Sequence, residues 1–591
     1  MSENLTNFFF SIVFNGVMLY YIEGALMAYF LKQQKQSNNT YLAIYESFYS
    51  RDVKGTKQRC IKSLGSVTSL QKKGIDDPVS YYKEEVRKMN DEREKEKEVK
   101  KISSRSPVRY LGYFPLKSIL DHIGVKSYVD LFKITTDYDF ELYDVLSSLI
   151  FARAVAPCSK RKTYNEVIPS LYQDYDFSYD QLLEGLAFFG NDYEKFVEMF
   201  NDLVNRKYPL CTDVTYFDCT NFYFEIDRED DFRRKGPSKE NRNDPIIGLG
   251  LLLDANQIPV GMKMYPGNES EKPVIRDVVN KLKKKHNVKG RTIQVADKGL
   301  NCAANIFFAR ENGDGYLFSK SVKQLPETEK TWVLLGKGYA NVTDKNGNLL
   351  YKYKECIDDF NYTYTDGKGK KHKLALTEKR VVTFNPSLAK KKIYEIDRMV
   401  EKARGLSAAM AKRSEYGESA KYVKFKSTSK GETTEDKVKA VIDEKMIEDD
   451  KKLAGYNLLV TSETKMKAQD IYNTYHNLWR IEESFRIMKS DLDARPVFLQ
   501  KEETIKGHFL ICYLTVLLER IFQFIILENK YSSGDIFNFF RSFKVVQNKN
   551  EYINVTIGND FITDLSSRTS LPLDHYSLTE KKVKKILNCK L

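Results

Sequence analysis

The feature that most constrains this chain is a carboxylate in the middle of a strand that otherwise reads as apolar. Residues 213–225 (DVTYFDCTNFYFE) have the two-residue alternation of a β-strand. One face of that strand carries Val214, Tyr216, Asp218, Thr220, Phe222 and Phe224. A charge on a buried face is costly unless something pairs with it. The sequence therefore predicts a group that pairs with the charge of Asp218, and a metal ion is one candidate.

The residues after this strand predict a mixed sheet. Strands are expected over 246–253, 258–265, 292–297 and 315–319, and helices over 271–286 and 303–311. The first three strands can form an antiparallel meander, whereas the later strands need crossover helices and are expected to be parallel. This is the layout of an RNase H-like α/β core, a mixed sheet flanked by helices.

Two carboxylates are expected to meet in that core. Asp297 ends the fourth strand, which in the RNase H-like layout lies beside the first strand and its Asp218. Each residue alone has a plain structural interpretation, because Asp218 could close a local hydrogen-bond network and Asp297 could cap the next turn. Their positions on these two strands favour a shared site.

A third carboxylate lies on a helix predicted over 468–492. The core stripe of this helix consists of Leu478, Ile481, Phe485, Met488 and Leu492. Tyr475, Glu482 and Lys489 are each seven residues apart, so they line up along one side of the helix. Such a row is either an exposed face or a metal ligand flanked by phosphate-binding groups.

The segment YHNLWRIEESFRIMK resembles the Tyr-Arg-Glu-Lys signature of DDE transposases from bacterial insertion sequences, written Y-x2-R-x3-E-x6-K. Tyr475, Glu482 and Lys489 match the signature, and Leu478 stands at its Arg position. YFDCT at 216–220 and VADKGL at 295–300 resemble the first and second Asp blocks of the family. The stretches 258–271 and 495–509 are similar to segments that flank those blocks in one branch. The resemblance covers residues 27–525.

The resemblance implies a DNA transposase that cuts the ends of an element and transfers the freed 3′-hydroxyl to target DNA. Breaking a phosphodiester needs an activated nucleophile, an in-line geometry and a neutralised leaving oxygen, which two Mg²⁺ ions about 3.5–4 Å apart can supply. Hard cations prefer oxygen ligands. Asp218 is expected to bridge the two ions, Asp297 to bind one of them and Glu482 the other, with Mn²⁺ as a substitute.

The same resemblance implies the DNA contacts. Tyr475 and Lys489 would hold a phosphate near the cut, and Arg480 or Arg486 would take the phosphate contact of the missing signature Arg. The expected partner is double-stranded DNA, as terminal inverted repeats and as target, and the expected assembly is a homodimer on paired ends.

Composition excludes several other classes of protein. The chain of 591 residues has 95 Lys and Arg against 81 Asp and Glu, and the net charge of +14 favours a polyanionic partner. Its eight Cys form no CxxC pair and its six His show no HxxxH or HExxH spacing, so neither a zinc site nor a disulfide scaffold is expected. No P-loop is present. A cytoplasmic, nucleoid-associated protein is the natural expectation.

The chain is expected to contain several regions. These are an apolar extension at 1–26, a β-hairpin with a charged helix at 27–105, a helical region at 106–205, core halves at 206–320 and 456–530, a β-rich and helical insertion at 321–455, and a basic region at 531–591. The helical region could bind DNA or serve packing. The extension could be an upstream reading-frame extension, a packed helix or a membrane contact. His508, on an apolar helix, is expected to be a core residue or a cap.

Two other functions remain open from the residues alone. One is a descendant of a transposase that binds DNA without cleaving it, and Leu478 is the one departure that favours it. The other is a different nuclease on the RNase H-like fold, such as a resolvase-like enzyme. The register of Tyr475, Glu482 and Lys489 and the long insertion favour transposition over the latter.

Overall fold

The computed structural model describes most of the chain, in two compact units, Met1–Ser104 and Arg105–Leu591. The described residues are 13–14, 17–18, 28–36, 39–50, 55–98, 107–134, 136–240, 242–284, 290–409, 411–426, 439–548 and 551–591. The interpretation of residues 1–26 lies outside these ranges, apart from two paired strands of two residues each, Val13–Phe14 and Val17–Met18.

The first unit contains a three-stranded antiparallel sheet and two helices. Its elements are β1 (Ala28–Gln36), β2 (Asn39–Ser50), β3 (Gly55–Ser66), α1 (Val67–Gln71) and α2 (Pro78–Glu98). The pairing of β2 with β3 confirms the hairpin predicted over 41–67. Glu46 on β2 accepts hydrogen bonds from Arg59 on β3 and Arg93 on α2, which joins the sheet to the helix.

The second unit begins with a short strand and a helical layer. These elements are β4 (Val108–Tyr110), α3 (Phe114–Ile123), α4 (Val125–Lys133), α5 (Leu142–Val155), α6 (Tyr179–Asn191) and α7 (Tyr193–Lys207), with short helical turns over 160–170 between α5 and α6. The amphipathic segments of 115–205 are therefore helices, as predicted. Every residue of α5 except Asp144 is buried, because other helices pack around it.

A nine-stranded mixed sheet follows. Its first part contains β5 (Val214–Tyr223), β6 (Ile246–Leu253), β7 (Pro259–Pro266), α8 (Val274–Lys284), β8 (Ile293–Ala296), α9 (Ala303–Glu311) and β9 (Gly315–Lys320). The strand order here is β7-β6-β5-β8-β9. Strand β6 pairs antiparallel with both β5 and β7, and β5, β8 and β9 are parallel, which confirms the predicted meander and crossovers.

The apolar run IIGLGLLL forms β6 because both faces of this strand are covered. All eight of its residues are buried. Its glycines leave room for aromatic rings, since a Cβ at Gly250 would lie 2.7 Å from Cζ of Phe217 on the adjacent strand. A continuous apolar run is typical of such doubly covered strands.

Three strands of the segment 321–455 extend this sheet, whereas two others, at 423–426 and 439–442, pair with each other in a separate two-stranded sheet. The elements of the segment are α10 (Glu327–Leu334), β10 (Ala340–Thr343), β11 (Leu349–Thr365), β12 (Lys371–Phe384), α11 (Pro386–Ala408), β13 (Val423–Lys426), β14 (Lys439–Ile442) and α12 (Glu444–Lys452), and the core strand β15 (Tyr456–Thr461) follows it. Strand β15 pairs with β9 on one side and β12 on the other, so the hairpin β11–β12 continues the core. Alternation in the sequence predicts the hairpin but cannot indicate the sheet that it joins.

The helix predicted over 468–492 is interrupted. It consists of α13 (Ala468–His476), α14 (Trp479–Arg486) and a π-helical turn, Ile487–Asp491. At the junction the amide of Leu478 bonds the carbonyl of Tyr475 (3.0 Å), and the amide of Arg480 bonds that of Asn477 (3.1 Å), which is tighter than α-helical pairing. The prediction of one continuous helix was wrong. The spacing of apolar residues does not show where backbone hydrogen bonds change locally from the α-helical to a tighter pattern.

The remaining elements complete the core and a second small sheet. They are α15 (Glu502–Arg520), α16 (Ser533–Ser542), β16 (Lys544–Asn548), β17 (Glu551–Asn554), α17 (Asp560–Thr569), β18 (Ser577–Thr579) and α18 (Glu580–Leu587). Strand β4 pairs with β16 in a four-stranded sheet, which joins the start of the second unit to its end.

Helix α15 is the central helix of the second unit. With the π-helical turn that continues it, the stretch Glu502–Ile526 is long and apolar enough to cross a bilayer, but 83% of its most apolar window is buried inside the protein. It packs against α5 and α6 on one side and against the sheet on another. Its apolar composition is accounted for by this core position.

Candidate active site

Asp218 and Asp297 lie side by side on neighbouring parallel strands. Strands β5 and β8 pair in parallel with Phe217 opposite Ala296, so Asp218 and Asp297 are the next residues along. Asp218 lies within β5 and Asp297 directly follows β8. The expected adjacency of the first and fourth strands is confirmed, and it brings together two carboxylates that are 79 residues apart in the chain.

The environment of Asp218 disfavours its negative charge. The pKa of Asp218 is raised to about 6, chiefly by burial. The charges of Asp297 and Glu271 contribute to this rise, whereas Lys239 and the Cys219 amide oppose it. The Cys219 amide donates to Oδ1 of Asp218 at 2.7 Å. A cation beside Asp218 would lower the cost of its negative charge.

Asp297 is oriented by two hydroxyl groups. Ser319 Oγ donates to Oδ1 of Asp297 at 2.9 Å, and the Tyr475 hydroxyl donates to the same oxygen at 3.1 Å. Burial and the charge of Asp297 raise the pKa of Tyr475. Within the described ranges, no group donates a hydrogen bond to Oδ2 of either aspartate. One oxygen of each carboxylate is therefore left for another partner.

Lys239 and Glu271 belong to the same cluster, and sequence reasoning missed both. The Lys239 ammonium lies 3.9 Å from Oδ1 of Asp218 and 3.8 Å from Oε2 of Glu271, and it also donates to the Cys219 carbonyl. Lys239 lies in the charged loop after β5, and Glu271 lies just before α8. No spacing pattern marks either residue, because only the folded chain brings them beside Asp218.

Glu482 is on the adjacent helix and is exposed. Helix α14 packs on β5, and the residues seven positions before and after Glu482 both reach the strand pair. Tyr475 contacts Asp297, while the Lys489 ammonium lies 5.5 Å from the ring centre of Phe222 on β5. Glu482 therefore lies along the same side of the helix as these two residues. In the part of the chain that the structure describes, however, no three His, Cys, Asp or Glu side chains are close enough to hold a metal ion.

A comparison with protein families agrees with this geometry. The sequence model described as a transposase DDE domain matches residues 211–518, which is more than half of the chain. This chain belongs to the DDE transposase family. The matched range begins just before β5 and ends within α15, so it contains Asp218, Asp297 and Glu482. No curated protein matches the chain.

The carboxylates of this transposase have the chemistry that a divalent metal needs. Asp218 and Asp297 offer oxygens that no described donor occupies, and oxygen is the ligand that Mg²⁺ prefers. The raised pKa of Asp218 comes chiefly from its burial, and a bound cation would lower it. The aspartate pair therefore fits a hard cation, whereas the structure does not bring Glu482 into a cluster with it among the described residues.

Two of the transposase's expected phosphate-binding residues are engaged elsewhere. Arg480 lies 3.3 Å from Glu483 and its guanidinium is 3.9 Å from the ring centre of Trp479. Arg486 lies 3.8 Å from Glu483 and 3.2 Å from Asp491. The structure thus joins both arginines to Glu483 and does not show either of them beside the aspartate pair.

Lys489 is half-buried and paired with Glu240. Its ammonium lies 3.2 Å from Oε1 of Glu240, an oxygen that also accepts from Arg495. Burial lowers the pKa of Lys489, and Glu240 opposes that shift. A single carboxylate shared by two cations leaves a local excess of positive charge next to β5.

A basic cleft adjoins Asp297 and Tyr475 in the transposase. The cleft has a volume of about 640 Å³. Five lysines line it, namely Lys298, Lys320, Lys323, Lys391 and Lys392. Asp450 at its wall pairs with Lys323 at 2.7 Å. The cleft therefore places positive charge next to the aspartate pair, as a polyanionic substrate requires.

Proposed function

We propose that this protein is a cut-and-paste DNA transposase that cleaves the ends of its element and transfers the freed 3′-hydroxyl into target DNA. The observation that carries the proposal is the pair of carboxylates, Asp218 and Asp297, on adjacent parallel strands, with the Tyr475 hydroxyl bonded to Asp297. The strand order β7-β6-β5-β8-β9 with its antiparallel and parallel pairings supports an RNase H-like core.

The proposed catalytic residues are Asp218, Asp297 and Glu482, which would hold two Mg²⁺ or Mn²⁺ ions. When bound, such ions activate a water or hydroxyl nucleophile and neutralise the leaving oxygen. Ser319 and Tyr475 orient Asp297 through its Oδ1. Lys239 offsets the negative charge of Asp218 and Glu271 while no metal is bound.

The proposed DNA contacts near the cut are Tyr475 and Lys489, with Arg480 and Arg486 as further candidates. Both arginines would need to leave Glu483 to reach a phosphate. A lysine suits a phosphate as a point charge. The partner would be double-stranded DNA, as terminal inverted repeats and target, bound by a homodimer in the nucleoid of the cytoplasm.

The proposed organisation keeps the boundaries expected from the sequence. The catalytic core would comprise 206–320 and 456–530, with the insertion 321–455 between its halves. Residues 106–205 would contact DNA, with 27–105 and the basic region 531–591 as accessory parts. Residues 1–26 would be an apolar extension.

A nicking assay tests the proposal. A duplex carrying the element's terminal repeats is incubated with Mg²⁺ or Mn²⁺ and either the wild type or Asp297→Asn. The matched control is Asp277→Asn, the same chemical change at an exposed position on α8. Cutting by wild type and Asp277→Asn but not by Asp297→Asn is the expected result. Equal cutting by all three proteins would remove the aspartate pair from the mechanism.

A second candidate function is DNA binding without cleavage. The observation that favours it is that Glu482 is exposed and forms no three-carboxylate cluster with the aspartates among the described residues. Binding of the terminal repeats without nicking by the wild type, in either metal, would support this second function over transposition.

A further inference from the structure

A second cavity lies on the helical side of the second unit. Its volume is about 390 Å³, within the range of about 300–1,000 Å³ that is usual for ligand pockets. Arg153 from α5, Lys160 and Arg161 from the turn after α5, and His508 from α15 line it. The loop 493–499 closes the other side. Neither the aspartate pair nor the basic cleft beside Asp297 shares a lining residue with this cavity.

Three of the basic side chains are buried at this cavity. Lys160 is 6% exposed, and Arg153 and His508 are each 5% exposed. His508 Nε2 donates to the Ala494 carbonyl at 3.1 Å, so its Nδ1 is the acceptor for the Lys160 ammonium at 3.1 Å. Arg153 Nη1 donates to the Leu492 carbonyl at 3.2 Å. These contacts use one of the three hydrogens of Lys160 and one of the five of Arg153.

These buried cations have no carboxylate partner. Within the described part of the chain, no Asp or Glu forms an ion pair with Arg153, Lys160 or Arg161. Asp493 lines the same cavity but is exposed. An uncompensated buried charge is costly, and accordingly burial lowers the pKa of Lys160 well below its usual value, with Arg153 as the next cause. An anion in the cavity would supply the missing charge.

The opposite wall is apolar and open to solvent. It includes Pro496, Val497 and Phe498, and Phe498 is 68% exposed. Arg161 is exposed as well, with its guanidinium 5.1 Å from the ring centre of Tyr179. A ligand with a negative charge on one side and a ring or sugar on the other would match both the basic wall and the wall at Phe498.

We propose that this cavity is a binding site for a phosphate group of a DNA strand, held by Lys160, Arg153 and Arg161, with the neighbouring nucleoside against Phe498. The phosphate chemistry rests on the buried cations alone. The assignment to DNA rests on the proposed function. The loop 493–499 at the cavity follows α14 and its π-helical turn closely in the chain. A DNA strand bound at the cavity would therefore contact a segment next to the helix that carries Glu482.

The first experiment asks whether the cavity binds phosphate at all. The melting temperature of the full-length chain is measured by fluorimetry during a titration with inorganic phosphate, and sodium sulfate serves as a second anion. Wild type is expected to gain stability with phosphate, because a ligand that binds only the folded state raises its melting temperature. Lys160→Met, which fills the same space without charge, should lose that gain. Lys126→Met, at an exposed lysine paired with Asp130, should retain it.

A second variant keeps the test valid if Lys160→Met does not fold. Arg161→Gln changes an exposed side chain at the mouth of the cavity and should weaken the phosphate-induced gain without unfolding the protein. Equal gains in wild type, Lys160→Met and Arg161→Gln would overturn the site.

The second experiment identifies the source of the phosphate. Affinity of the full-length chain for a labelled duplex of arbitrary sequence is measured over a range of salt concentrations. Each lost phosphate contact reduces the slope of log K against log salt by about 0.7–0.9. Lys160→Met should show this reduction, and Lys126→Met should not. A phosphate-induced gain without any change in slope would overturn the assignment to DNA and point to free phosphate or a nucleotide.

Discussion

At the scale of single residues, one aspartate shows how the site is assembled. The half-buried Asp218 is near a second aspartate and a glutamate, and its pKa is raised to about 6 chiefly by desolvation. Among the described residues, the charge of Lys239 opposes this rise. A side chain in such surroundings does not stabilise the fold, because ionising it costs free energy. Its placement is explained by a ligand that the folded protein can bind.

The Tyr475 hydroxyl should act through Asp297. Tyr475→Phe removes one of the two donors to Oδ1 of Asp297 and is expected to lower nicking by about 10–100-fold, as for other groups that orient a metal ligand. The measurement is the nicking rate as a function of Mn²⁺ concentration, since a positioning role should also raise the Mn²⁺ concentration required. Tyr472→Phe is the control, because Tyr472 stacks on Tyr351 one turn earlier. Similar losses in both variants would contradict the assigned role.

Glu519 should make the stability of the protein depend on pH. Burial raises the pKa of this fully buried carboxyl to about 7, above the usual value of 4.5. The folded state then holds a proton that the unfolded state releases, so the free energy of unfolding falls as pH rises from about 4.5 to about 7. Glu519→Gln should reduce the difference in the free energy of unfolding between pH 5 and pH 8 by about 3 kcal/mol. Urea denaturation at the two pH values measures it.

An exposed acid on the same helix provides the comparison for Glu519. Glu502→Gln replaces an exposed carboxylate paired with Lys506 and should leave the pH dependence nearly unchanged. If wild type and Glu519→Gln lose the same stability between pH 5 and pH 8, Glu519 is ionised in the folded state and the interpretation is wrong.

At the scale of elements, side-chain hydrogen bonds from α15 hold α14 in position. Arg520, which is completely buried, donates to Glu483 Oε2 at 3.1 Å and to Ser484 Oγ at 3.3 Å on α14. Glu482, also on α14, is exposed. On the two sides of the interruption at 477–478, the Tyr475 hydroxyl donates to Asp297 and the Leu478 side chain is buried.

Removing the buried arginine should destabilise the protein much more than removing the exposed one. Arg520→Met leaves Glu483 without its buried partner and is expected to cost about 3 kcal/mol. Arg486→Met removes a partner of the same carboxylate that is half exposed, and should cost less than about 1 kcal/mol. Urea denaturation of the two variants measures the difference. Equal costs would mean that Arg520 does not anchor α14.

At the scale of the whole molecule, the helical region and the sheet of the second unit share one hydrophobic core. The same cluster of buried side chains includes Leu146 on α5, Leu186 on α6, Phe222 on β5 and Phe509 on α15. Helix α15 runs through this core, and Gly190 on α6 and Gly507 on α15 allow a close backbone approach. Residues 107–207 are therefore continuous in packing with the sheet that carries the aspartates.

A methyl group at the helix crossing should disturb this packing. A Cβ at Gly507 would overlap the carbonyl oxygen of Leu186, so Gly507→Ala is expected to destabilise the protein by about 1–3 kcal/mol. Gly405→Ala, in α11 with nothing near its Cβ position, should instead stabilise by about 0.4–1 kcal/mol. Thermal unfolding of the full-length variants distinguishes them. A Gly507→Ala protein as stable as wild type would show that α6 and α15 can separate freely.

Much of the core could be predicted from local patterns. The alternation around Asp218, the buried run before Asp297 and the helical spacing of Tyr475, Glu482 and Lys489 are properties of short segments. The relative orientation of the strands followed from their connections, because short links favour antiparallel neighbours and helical crossovers favour parallel ones, whereas the adjacency of the first and fourth strands followed from the RNase H-like layout. The roles of Glu482, Arg480 and Arg486 stay predictions, since the structure shows them apart from the aspartate pair.

The sequence by itself determined the type of each main element and the two strands on which the aspartates lie, since both depend on residues close together in the chain. Only the tertiary structure decided that Lys239 and Glu271 join Asp218, that β11 and β12 extend the central sheet, and that Arg153, Lys160 and His508 share a cavity. These features depend on burial and on charges brought together over long distances in the chain. Local periodicity indicates which face of an element is buried, but not which residues it meets there.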